Sequence, residues 1–142
     1  MRSREAIIER VRAALEPRGE VLEAYVFGSV ARGDASAHSD VDVAVYIDPA
    51  SPEPDFGHAA VLGSELMAAL GRNDVDVVVL NHAPPLLYHR VLRDGVRVLS
   101  RDLAKTTTRE GYALSRYCDD LGRQRVVARA RAERLAKGAA GR

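Results

Sequence analysis

Residues 21–47 read VLEAYVFGSVARGDASAHSDVDVAVYI, and the order of residue types within this run decides the fold. Val21 to Phe27 is an apolar, aromatic-rich strand candidate that stops at Gly28. Ser29 is placed to cap a short helical turn through Ala31, which Gly33 ends. Asp34 to Ser39 is small and polar, hence a loop, and Val41 to Ile47 is a β-branched strand. Side chains alternate along a strand, so Asp40, Asp42 and Ala44 share one face while Val41, Val43, Val45 and Ile47 share the other.

Outward from this run, Ile7, Ile8, Val11 and Leu15 form one stripe of a helix over 4–15, closed before Pro17 and Gly19. Ser51-Pro-Glu-Pro54 is a linker, and 57–70 is a second helix with Val61, Leu62, Leu66, Met67 and Leu70 on its apolar side. Asp74 to Leu80 is a third strand, with Asp76, Val78 and Leu80 on one face. Pro84-Pro85 opens a helix through Leu92, Asp94-Gly95 turns, and Val96 to Leu99 is a short strand at an edge. The remainder, about 102–137, reads as one or two helices divided near Gly122. The expected architecture is α/β (α+β): one domain over 1–142, with a mixed sheet flanked by helices over about 18–100 and a C-terminal helical segment.

Composition bounds the rest. No apolar stretch approaches the 18 residues of a membrane span, and the charged N-terminus lacks a secretory apolar region, so a cytoplasmic protein without membrane contact is expected. The single Cys118 excludes an internal disulfide and a cysteine-type zinc cluster. Residues 1–100 carry 10 Lys and Arg against 15 Asp and Glu, whereas 101–142 carry 11 against 5. A basic C-terminal third beside an acidic body concerns partners or self-association, homo- or heteromeric. Its scarcity of aromatics argues against direct nucleic-acid binding.

The chemistry sits in three places. Gly28-Ser29 ends a strand where the absent Cβ and the following N–H groups suit a phosphate, and Arg32 is one turn on. Asp40 and Asp42 can address two Mg²⁺ ions from one face, and Asp76 can join them from a neighbouring strand in matched register. Such a site holds a nucleoside triphosphate. It is not a Walker A loop, which needs Gly-Lys-Ser/Thr. His38 lies in the intervening loop, His82 and His89 lack a ligand spacing, Tyr46 is expected to pack on its strand, and Tyr112 and Tyr117 are expected to pack the C-terminal helix.

The run GSVARGDASAHSDVDV, residues 28–43, resembles the signature of the minimal nucleotidyltransferases of the DNA polymerase β-like superfamily. The branch it looks most similar to is the MntA-type antitoxins, which are paired with all-helical HEPN toxins. In that branch the third acidic strand reads much like DVDVVVLN, 74–81. The resemblance covers roughly residues 3–102. It implies that Gly28 and Ser29, with Arg32, bind the β,γ-phosphates of ATP. It also implies that Asp40 and Asp42 share two Mg²⁺, and that Asp76 ligates the catalytic metal and helps deprotonate the acceptor. Branch members often carry a further acid where this chain has Val79, which faces away from Asp76. The activity implied is transfer of AMP from ATP to a tyrosine of a HEPN toxin, neutralising it. The alternatives are an antitoxin that acts only by binding and a nucleotidyltransferase acting on a small molecule such as an antibiotic.

Overall fold

The computed structural model describes residues 3–33 and 40–140. The loop expected over Asp34 to Ser39, with His38, therefore lies outside the described residues. The elements are α1 (Arg4–Leu15), β1 (Val21–Phe27), α2 (Gly28–Arg32), β2 (Val41–Ile47), α3 (His58–Leu70), β3 (Val75–Val79), a 3₁₀ turn (Leu80–His82), α4 (Pro85–Asp94), β4 (Val96–Ser100) and α5 (Leu103–Ala140). Ser3 starts α1 by accepting a hydrogen bond from the Ala6 N–H.

The four strands form one mixed sheet in the order β3-β2-β1-β4. β1 runs antiparallel to both β2 and β4, and β2 runs parallel to β3. Helices cover both faces. On the first, Ile7, Val11 and Leu15 of α1 and Leu62, Leu66 and Leu70 of α3 pack on Val41, Val43, Val45, Ala24 and Val26. On the second, Tyr88 and Val91 of α4 and Ala113 of α5 pack on Tyr25, Phe27 and Ala44. Each fully buried Val or Leu contributes about 1.5–3 kcal/mol of transfer free energy to this sandwich.

Two irregularities set what faces where. Val21 pairs with Ile47 and Glu23 with Tyr46, so Leu22 is an extra residue in β1. This bulge reverses the side-chain parity of the strand, sending Val21 to the first face and Glu23 to the second. Glu23 is completely buried there. Its carboxylate accepts hydrogen bonds from Arg109 Nε at 2.8 Å, Arg109 Nη2 at 2.6 Å and Thr106 Oγ1 at 2.9 Å. One turn of α5 thus satisfies a charge that nothing in β1 could. Beside it, Tyr25 donates to Glu110 Oε2 at 2.8 Å, Arg97 donates to Glu110 Oε1 at 2.9 Å, and the Arg109 guanidinium lies 4.7 Å from the centre of the Tyr46 ring.

Several boundaries differ from the sequence expectation. α2 is capped by Phe27, not Ser29, and runs one residue further, to Arg32. Ser29 sits inside its first turn. Leu80 leaves β3 for the 3₁₀ turn because Asn81 takes over the end of β2: its Oδ1 accepts from Ile47 N–H at 2.9 Å and its Nδ2 donates to Ile47 C=O at 2.7 Å. The C-terminal segment is one helix, continuous through Gly122, where helix propensity outweighs the single glycine. Tyr112 does not pack: it is 68% exposed, whereas Tyr117 stacks on His89 at 3.7 Å. No helix among the described residues is long and apolar enough to cross a membrane.

Candidate active site

β2 and β3 begin side by side, and their register pairs Val41 with Val75 and Asp42 with Asp76. Directly paired residues of parallel strands point to the same face, about 4.8 Å apart in backbone. Asp42 and Asp76 therefore project together onto the second face, at the end of the sheet where β1 finishes. Asp40 is one residue before β2 and exposed; Asp42 is half-buried and Asp76 exposed.

β1 arrives from the opposite direction, so its end at Phe27 pairs with Asp42. The next residue, Gly28, takes φ +74°, a left-handed conformation that side chains disfavour. A Cβ built there would stand 2.3 Å from Asp42 Oδ2 and 3.2 Å from its Cγ. Only glycine lets the chain turn into α2 against that carboxylate. α2 then presents Ser29, half-buried, and Arg32, which is held 3.9 Å from Asp94. Gly33 closes the helix at φ +80°, and Arg4 Nε donates to Ala31 C=O at 3.0 Å, tying α2 to α1.

Electrostatics mark the same cluster. Burial pushes the Asp42 carboxyl above its ordinary range, the nearby charges of Asp76 and Asp40 push it further, and Arg32 partly offsets them. The Arg93 guanidinium, helped by Arg32, holds Asp94 below its usual range. Among the described residues no three His, Cys, Asp or Glu side chains are already gathered tightly enough to grip a metal ion. The donor set nonetheless fits a hard divalent cation. It is all carboxylate oxygen, its members repel one another, and the glycine cradle leaves space against Asp42 for a bound group.

Of the residues singled out in the sequence, the structure brings Gly28, Ser29, Arg32, Asp40, Asp42 and Asp76 to one end of the sheet, whereas His82 ends the 3₁₀ turn after β3 and His89 stacks on Tyr117. Sequence reasoning missed Glu23 and Asn81. A glutamate inside the apolar run VLEAYVF is the signal for Glu23, since a buried carboxylate must find a cationic partner.

The sequence profile of the polymerase β nucleotidyltransferase domain matches residues 9–104. No curated protein sequence matches the chain significantly. Among solved structures, a chain of a toxin–antitoxin complex with AMP-PNP superimposes with a TM-score of 0.71, at 22% identity, over 87% of this chain and 96% of that one. A chain from the tri-AMPylated Shewanella oneidensis HEPN toxin in complex with MNT antitoxin gives 0.67 at 20% identity, over 89% and 97%. A protein assigned as a minimal nucleotidyltransferase gives 0.56 at 33% identity, over 67% and 95%.

Proposed function

Because this chain belongs to the polymerase β nucleotidyltransferase family, we propose that it transfers AMP from ATP to a tyrosine hydroxyl of a helical HEPN-type partner and so acts as an antitoxin. The observation that carries the reading is the register pairing of Asp42 with Asp76 beside a glycine turn that only Gly28 can make. The neighbouring folds support the choice of donor and acceptor, since one complex carries AMP-PNP and another an AMPylated toxin.

Asp40, Asp42 and Asp76 would hold two Mg²⁺ ions, which when bound neutralise phosphate charge and acidify an incoming hydroxyl. The amides of Gly28 and Ser29, the Ser29 hydroxyl and Arg32 bind the β- and γ-phosphates. This orients the α-phosphorus over Asp42. The tyrosine oxygen forms a bond to the α-phosphorus as the bond to the β-phosphate oxygen breaks. Pyrophosphate departs with that electron pair, and the phenolic proton leaves by way of Asp76, the solvent-open member of the pair. The test is the intact mass of the partner after incubation with ATP and Mg²⁺. Gains of whole AMP units, absent with Asp42→Ala although the complex still forms, support the reading; an unchanged mass within a formed complex rejects it.

A further inference from the structure

On the second face of the sheet, α4 and α5 cover β1 and Ala44 of β2, leaving Asp76 exposed and Val78 half-buried on the edge strand β3. Two residues along from the paired acids, that face carries Ala44 and Val78, also register partners, and then Tyr46. Past them, across the far ends of β2 and β3, lies a cavity of about 650 Å³ between Tyr46, Val78 and Leu87 of the second face and Ala59 at the start of α3, rimmed by Asp48 and Glu53. The Asn81 side chain, bonded to both backbone groups of Ile47, fixes the end of β2 at its edge. At roughly 3.3 Å per residue of strand, the cavity begins about 7 Å from Asp76 at Val78, and Tyr46 and Asp48 stand about 13 and about 20 Å beyond Asp42.

Sheet order decides which reactant meets this cavity. In an in-line displacement the attacking and leaving oxygens stand on opposite sides of the phosphorus. The phosphate-binding turn belongs to β1, on one side of β2, and Asp76 belongs to β3, on the other. On the nucleotidyl-transfer reading, pyrophosphate held at α2 leaves over β1 and the acceptor hydroxyl enters over β3, the edge strand whose far end lines the cavity. We propose that this cavity is the acceptor-docking pocket. It takes an apolar side chain two to four residues from the modified hydroxyl, with a neighbouring Lys or Arg set against Asp48 and Glu53. The inference rests on the nucleotidyl-transfer reading above, which supplies the direction of attack.

The probes are fluorescein-labelled peptides carrying one tyrosine, a leucine three residues away and an adjacent lysine, with a serine-for-leucine control. Fluorescence anisotropy gives their Kd, and the rise in Tm with Mg²⁺ and ATP reports nucleotide binding separately. Ala59→Trp fills the cavity mouth from an exposed position on α3, and Glu53→Lys reverses an exposed rim charge without touching the core. The leucine peptide should bind at least 10-fold tighter than the control. Ala59→Trp should remove that preference and Glu53→Lys should weaken binding severalfold, with the ATP-induced rise in Tm unchanged in both. Equal binding of leucine and serine peptides, or preference surviving in both variants, overturns the proposal. Loss of the ATP response in Ala59→Trp also overturns it, by giving the cavity to the nucleoside. Neither readout needs AMP transfer, so selective peptide binding without any transfer would reject the function and leave the pocket standing.

Discussion

Replacing Gly28 with alanine tests the site through a single methyl group. At φ +74° the new residue occupies the left-handed region at a cost of about 1–2 kcal/mol. Its Cβ would lie 2.3 Å from Asp42 Oδ2, where ordinary van der Waals contact begins at 3.4 Å. The carboxylate must retreat by about 1 Å or the turn must open, and a displacement of that size at a reacting centre costs about 100-fold in rate. For a chain of this length the backbone term lowers Tm by roughly 3–10 °C. The assays are thermal denaturation, and AMP incorporation measured by intact mass at a temperature where the variant is folded. Unfolding would remove both properties together, whereas the geometry predicts a modest fall in Tm with a disproportionate fall in rate. A variant with wild-type rate and wild-type response to Mg²⁺ would refute the claim that Gly28 exists to let the chain pass Asp42.

Arg109→Met strips the cation from the fully buried Glu23 and should cost about 3–5 kcal/mol in urea denaturation; a loss below 1 kcal/mol would mean Glu23 finds water or another donor. The Asp42 carboxyl is raised in the folded protein, so the native state holds its proton more tightly than the unfolded chain. That stability is present at acid pH and lost as pH rises through the folded value. Asp42→Asn should therefore raise Tm of metal-free protein at pH 7–8, with the gain vanishing on acidification. An unchanged or lower Tm at neutral pH would contradict the repulsion described. Mg²⁺ with ATP should raise the wild-type Tm by mass action, and Asp42→Asn should lose that response. Ending the chain after Gly122 should leave Tm within about 2 °C, because the side chains described beyond it are exposed save for half-buried Ala130.

The parts of this fold that were legible are those whose signal is local. β2 announces itself by alternation, and its pairing of Asp42 with Asp76 follows once β3 is laid beside it, because residues 40–43 and 74–77 both read Asp-Val-Asp-Val. The turn at Gly28 and the stop at Gly33 could be placed for the same reason: a left-handed residue needs glycine. What escaped depends on partners distant in the chain. Ser29 looked like a cap, but the backbone enters the helix one residue earlier, at the turn forced by Asp42. Glu23 shares the face of Tyr25 and Phe27 by simple alternation, but nothing within β1 reveals that its counter-charge waits on α5. Leu80 carries strand-like residue chemistry, yet Asn81 ends the strand by occupying the backbone groups of Ile47. The cavity beside β3 is invisible in sequence because it is the space left when four separate segments meet.

The bond between Glu23 and Arg109 spans 86 residues, and this has a meaning for how the protein is made. Chains grow at about 5–20 residues per second, so β1 emerges from the ribosome several seconds before the arginine it requires. Until then the strand holds a carboxylate that water must keep, and the sheet face next to the Gly28 turn cannot seal. A product broken off before α5 begins would carry every acid and glycine of the site yet lack the counter-charge that closes its core. The order of synthesis thus leaves the second face of the sheet to close last, when Thr106 and Arg109 arrive to take up the Glu23 carboxylate.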